Sequence, residues 1–199
     1  MDSPEHFQEI LAHPFRVLDQ TERAFFFDNG YVVKKAAIGA HWIARLNQAL
    51  AKLVDKSRDL TRSDGTYDLE DGHTRDAPRL RRIAYLDALD PVFWEFCRDS
   101  PLPDLAADLL GPDVRFREAL INIKWAGGGQ EVKWHQDLPF YPLTNRTVAQ
   151  FLICLDDVGT EQGPLMVVPG SHRGPFHDHY DEDDNWFCLL YTSPSPRDS

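Results

Sequence analysis

The period of the sequence changes at Gly111-Pro112, and that change limits the chain to one class of fold. Ahead of it, apolar residues recur at helical spacing. Trp42, Ile43, Leu46, Leu50, Leu53 and Val54 fall on one face of a helix that runs to Lys56, with Arg45, Lys52 and Asp55 opposite. Residues 18–29 read as a shorter amphipathic helix that Gly30 can close in a left-handed cap. Residues 92–97 and 102–110 give two more, the second stopped by Gly111 and Pro112. Behind that point the residues alternate. In 114–125, Ala119, Ile121, Ile123 and Trp125 point one way and Glu118, Leu120, Asn122 and Lys124 the other, a strand with one polar wall facing the inside of a barrel. Residues 148–155 and 165–168 add strands, the last ended by Pro169-Gly170, and Tyr31, Val32 and Val33 read as a strand between the first two helices. Helices in front and short strands with Gly/Pro turns behind predict an α+β protein whose β part is a barrel or a double-sheet jelly roll. Residues 57–78 are polar and aperiodic around Gly65 and Gly72, which predicts a long loop and a candidate lid.

A chain of 199 residues suits one domain, here residues 1–187. The last stretch, CLLYTSPSPRDS at 188–199, shifts to Ser, Pro and Thr without periodicity and is expected to be a foreign or disordered tail, leaving the fold incomplete at its C-terminus. A formal charge of −11 disfavours a nucleic-acid partner, because phosphates need a cationic surface, and points to a small-molecule substrate. Part of that charge sits in Asp178, Asp181, Glu182, Asp183 and Asp184, read as a solvated loop. No apolar run is long enough to span a membrane and no secretory leader is visible, so the expected compartment is the cytoplasm. Cys97, Cys154 and Cys188 are odd in number and widely spaced, which argues against a disulfide framework and a zinc knuckle.

The sharpest local feature is Trp134-His135-Gln136-Asp137, after the glycine turn at 127–129. In an extended segment residues i and i+2 point to the same side, so the His135 imidazole and the Asp137 carboxylate can share one cation. An imidazole and a carboxylate, completed by one more His, leave open positions on an octahedral iron(II) for a keto acid and O₂. A structural His–Asp hydrogen bond satisfies the same spacing, and on spacing alone both readings stand.

The surroundings add a resemblance. Asn122-Ile123-Lys124, the glycine turn, Trp134-His135-Gln136-Asp137, Leu155-Asp156-Asp157 and the run Gly163-Pro164-Leu165-Met166-Val167-Val168-Pro169-Gly170-Ser171-His172-Arg173 resemble, in order and spacing, the phytanoyl-CoA dioxygenase family. The similarity runs from Phe25 to about His179 and is strongest from Ala119 to Gly174. It implies a double-stranded β-helix fold, His135 and Asp137 as iron(II) ligands, and 2-oxoglutarate and O₂ as co-substrates in the hydroxylation of an aliphatic C–H bond. It also implies contacts to the oxo acid from Asn122 and Gln150, with Gln136 and Lys124 as further candidates and Arg82 matching a basic position of some members. A hydrogen bond to a neighbouring strand is the alternative at each polar position, and a solvated basic face the alternative for Arg82. Trp134, Phe140 and Tyr141 are read as pocket lining or core.

His172 is read as a turn residue that caps by hydrogen bonding, and His177 and His179 as exposed imidazoles beside the acidic run. The family's second His ligand and its oxo-acid Arg follow several tens of residues later, so this polypeptide is expected to lack them and to be inactive alone. A non-catalytic, truncated jelly-roll ligand-binding domain is the main alternative, and a zinc hydrolase using the same pair a further one.

Overall fold

The computed structural model describes residues 4–127, 132–141, 143, 147–177 and 179–180. Gly128 and Gly129 of the glycine turn, the acidic positions Asp178 and 181–184, and the tail at 188–199 lie outside the described residues. The described chain is a helical layer on a small antiparallel sheet. Its elements are α1 (Pro4–Ala12), α2 (Gln20–Asn29), α3 (Ala40–Lys56), β1 (Tyr67–Leu69), β2 (Leu80–Ile83), α4 (Leu86–Leu89), α5 (Pro91–Asp99), α6 (Leu102–Leu110) and β3 (Ile121–Asn122). No helix among the described residues is long and apolar enough to cross a membrane.

The helices form where the apolar spacing and the caps require them. Asp19 accepts from the Glu22 amide at 2.8 Å while Glu22 accepts from the Asp19 amide at 2.9 Å, a reciprocal box that starts α2. Gly30, at φ +82°, ends it by donating to the Phe26 carbonyl. Asp90 caps α5 ahead of Pro91, and Gly111 at φ +97° closes α6. On α3, Trp42, Leu46, Ala49 and Leu53 are buried and meet Val92, Phe93 and Phe96 of α5, Leu80 and Ile83 of β2, and Leu86. Ala119, Ile121, Ile123, Ile153 and Leu155 pack against that same cluster. A second cluster joins Leu18 to Leu105 and Leu109.

A buried polar knot fastens α2 to α6. The Asp108 carboxylate accepts from the backbone amides of Arg16, Val17 and Leu18, each at 2.8 Å. Arg23, 1% exposed, donates to the carbonyls of Asp108, His13 and Ile10. Burying these charges is tolerable because nearly every donor meets an acceptor.

The sheet is three-stranded in the order β1-β2-β3 and is not closed into a barrel. Four expectations change here. Tyr31, Val32 and Val33 form no strand: Val33 is exposed, and the segment joins two helices without a ladder to any described strand. Of 114–125 only β3 is laddered, opposite β2 through Arg82↔Asn122 and Ile83↔Ile121. The alternation itself holds, but the polar wall expected to face the inside of a barrel does not face inward: Ala119, Ile121 and Ile123 pack on the core while Leu120, Asn122 and Lys124 are exposed and Glu118 is half-buried. Residues 148–155 alternate similarly, with Phe151, Ile153 and Leu155 half-buried and Val148, Gln150, Leu152 and Cys154 exposed, yet carry no ladder. Residues 165–168 are exposed throughout and equally unpaired.

The fourth change concerns 57–78. This stretch holds a 3-10 turn at Ser57–Asp59 and strand β1, which pairs with β2. His73 ties its two ends together. The ring accepts from the Arg79 amide at Nδ1 (3.0 Å), so Nε2 carries the proton donated to the Ser57 carbonyl at 3.1 Å. Arg58 donates to the Arg75 carbonyl at 2.7 Å. A hairpin pinned in this way is part of the scaffold and not a free lid.

Candidate metal centre

His135 and Asp137 are brought together. Asp137 opens the 3-10 turn Leu138–Phe140, and the bend turns its carboxylate toward the imidazole, with His135 Nε2 3.2 Å from Asp137 Oδ1. The other ring nitrogen fixes the tautomer. His135 Nδ1 lies 2.7 Å from the Lys133 carbonyl, which can only accept, so Nδ1 bears the proton and a neutral ring turns the lone pair of Nε2 toward a carboxylate oxygen. Two electron-rich atoms at that distance repel unless a cation or an added proton lies between them. Two donors each about 2.1 Å from one divalent ion, at right angles, stand about 3.0 Å apart, so the pair fits a metal site as it stands. An imidazole whose second nitrogen donates to a backbone carbonyl is also the usual arrangement of a metal-bound His. Both side chains are partly open, at 26% and 44%, so an ion can reach them.

Among the described residues no three His, Cys, Asp or Glu side chains converge. His172 is bound elsewhere: its Nε2 is 3.1 Å from the Phe27 carbonyl and its ring lies against Gly30 at the end of α2. His179 corrects the expectation of an exposed imidazole. It is wholly buried, stacked on Phe140 at 5.3 Å between ring centroids, and accepts the Gln136 backbone amide at Nε2, 2.9 Å away. His177 is exposed, as expected.

The other candidates are placed as follows. Asn122 is exposed on the polar wall, paired across the ladder with Arg82, whose guanidinium is 3.9 Å from Asp68. Lys124, two residues on and on the same face, donates to the Gly163 carbonyl. Gln150 donates to the Tyr141 hydroxyl at 3.1 Å, and the Arg117 guanidinium lies 4.2 Å over the Tyr141 ring. Gln136 is engaged at both ends of its amide, Nε2 donating to the Pro175 carbonyl and Oε1 accepting from the His177 amide, each at 3.0 Å. Phe140 packs on His179 and Tyr180.

The phytanoyl-CoA dioxygenase (PhyH) family model matches residues 26–194. The chain belongs to that family. It is 29% identical over 167 residues to a probable alpha-ketoglutarate-dependent hypophosphite dioxygenase of Stutzerimonas stutzeri, covering 82% of this chain and 57% of that protein. It is 27% identical over 157 residues to an ectoine dioxygenase of Sphingopyxis alaskensis, covering 76% and 49%. To an L-proline trans-4-hydroxylase of Streptomyces griseoviridis it is 38% identical over 94 residues, covering 45% and 35%. The chain spans about half the length of the curated relatives it matches. No solved structure matches.

Within this PhyH-family chain, sequence reasoning missed three partners of the site. Lys133 contributes its carbonyl, and a backbone atom leaves no trace in residue identity. The burial of His179 is equally hidden, because the residues beside it are polar. Arg117 had a weak signal, since a basic residue flanking the polar wall can reach an aromatic ring.

Proposed function

We propose that this protein carries the metal-binding half-site of an iron(II)- and 2-oxoglutarate-dependent dioxygenase that hydroxylates an aliphatic C–H bond of a small molecule. The observation that carries the reading is the His135 tautomer: with Nδ1–H spent on the Lys133 carbonyl, the lone pair of Nε2 and the Asp137 carboxylate face one point 3.2 Å across. Bound iron(II), with the oxo acid and O₂, would supply the oxidising chemistry, converting 2-oxoglutarate to succinate and CO₂. His135 and Asp137 would hold the ion, and the reading calls for a third protein ligand, an imidazole, that the described residues do not bring to the pair. Asn122 and Gln150 offer amides to the oxo acid, and Lys124 offers a cation once it leaves the Gly163 carbonyl. Gln136, whose amide is held by Pro175 and His177, is left out of that set.

The relatives' named substrates, hypophosphite, ectoine and L-proline, are small and polar, which supports a small-molecule substrate. The same reading assigns residues 114–125, 148–155 and 165–168 to a double-stranded β-helix within one domain spanning 1–187. The alternating burial of residues 119–125 and 148–155 supports it.

The test is 2-oxoglutarate-dependent succinate formation under oxygen with iron(II) added, in a completed protein that also carries the second imidazole ligand and the oxo-acid arginine, with His135→Ala and Asp137→Ala as comparisons. Both variants are expected to fall to background while their circular dichroism is preserved. Undiminished turnover in either variant removes the metal assignment.

A further inference from the structure

We propose that His179 is a positioning residue for the His135–Asp137 pair, acting through the peptide between the two ligands. The inference rests on the metal reading above and names the part of the chain that holds the pair in its convergent geometry.

Three bonds reach Gln136 from one stretch of chain. Its backbone amide donates to His179 Nε2 at 2.9 Å, its side-chain amide donates to the Pro175 carbonyl, and its side-chain oxygen accepts from the His177 amide, both at 3.0 Å. The Gln136 N–H belongs to the peptide unit joining it to His135. Fixing that unit sets ψ of His135 and φ of Gln136, two of the torsions that decide whether side chains 135 and 137 fall on the same side. The bonds to the Gln136 side chain hold the same residue from a second direction.

The His179 ring also grips the far side of the pair. It stacks on Phe140 at an interplanar angle of 15°, and Phe140 ends the 3-10 turn that Asp137 opens. One imidazole thus touches the chain between the metal ligands and after them. An apolar ring or a Leu would stack on Phe140 as well. The choice of a polar ring at a position with 0% exposure is explained by its acceptor, because a buried amide without a partner is costly. Since a backbone amide only donates, Nε2 is the lone-pair nitrogen and Nδ1 carries the proton. The stretch is itself anchored, as the preceding turn binds the end of α2 through His172 and Arg173 to the Phe27 carbonyl.

The experiment is an anaerobic titration of the purified protein with cobalt(II), followed by its visible absorption, beside thermal melting of the metal-free protein. His179→Leu keeps the volume and removes the acceptor. It is expected to weaken cobalt(II) binding 10- to 100-fold, the usual effect of losing an outer-shell partner, and to lower the metal-free melting midpoint by a few degrees for the amide left without an acceptor. His179→Gln, whose amide oxygen can take the same N–H, is expected to bind within about threefold of the unchanged protein. Equal binding by His179→Leu and the unchanged protein overturns the proposal, as does equal weakening by the Leu and Gln variants, which would mean that shape alone matters. Should His179→Leu not fold, His179→Phe, which keeps a ring against Phe140 and removes the acceptor, decides: roughly tenfold weaker binding supports the proposal and unchanged binding overturns it. Asp137→Ala separates the two levels of the argument. If it binds cobalt(II) as the unchanged protein does, the metal reading falls and this inference falls with it. If it loses binding while His179→Leu does not, only the inference falls.

Discussion

At the scale of single residues, Gly30 has the tightest surroundings among the described glycines. It sits at φ +82°, and a Cβ there would lie 2.4 Å from His172 Nδ1 and 2.8 Å from His172 Cγ. Gly30→Ala therefore combines left-handed strain with a collision and is expected to cost about 2 kcal/mol in urea denaturation, roughly 1 from the backbone and the rest from displacing the imidazole. Because the second part needs the ring, Gly30→Ala should cost less in a His172→Ala background, and a double-mutant cycle that adds without coupling would refute the contact. Cys97 offers a second residue-level test. Burial, with the nearby Asp87 carboxylate, pushes its thiol up to about 11. The unfolded thiol loses its proton near pH 9, so the folded form is favoured below that value and loses this contribution as pH rises from about 9 to 11. Peptide mapping after iodoacetamide at pH 8 is expected to find the exposed Cys154 modified and native Cys97 protected.

At the scale of elements, α2, α3, α5 and α6 were legible in the sequence, whereas α1, α4 and the sheet were not. The span 102–110 is α6 as observed, and Gly30 ends α2 as its type requires, because a helix writes its start, face and stop into local residues. Alternation reports only which side of a segment packs. It correctly separated Ala119, Ile121 and Ile123 from Asn122 and Lys124, but it cannot say which backbone lies alongside. The hairpin of β1 and β2 escaped for a different reason. Leu80 and Ile83 are buried around Arg81 and Arg82, a spacing of three that is not a strand period, and the register shifts between Asp68 and Leu69. The candidate site divides likewise: the His135 and Asp137 spacing is in the sequence, whereas the Lys133 carbonyl that sets the tautomer and the His179 ring behind Gln136 are products of folding. For α2 the caps themselves can be tested. Asp19→Ala is expected to cost about 1 kcal/mol by thermal denaturation and to speed amide exchange in the first turn of that helix alone.

At the scale of the whole molecule, stability is concentrated where the helices meet the sheet. Leu53 is 1% exposed in that cluster, whereas Leu152, on the outer face of its segment, is 65% exposed. Leu53→Ala is expected to cost about 3 kcal/mol in chemical denaturation and Leu152→Ala less than about 0.5 kcal/mol. A comparable loss at both positions would place a second core on the strand side. The seat of the Ser171–Arg173 turn on α2 sets a schedule for the nascent chain. Arg173 donates to the Phe27 carbonyl and to Asp28 across 146 and 145 positions of sequence. On a ribosome adding about 5–20 residues each second, the last turn of α2 waits some ten to thirty seconds for the groups that finish it. Until then the carbonyls of Phe27 and Asn29 face water, and a helix made early is among the last elements to be finished.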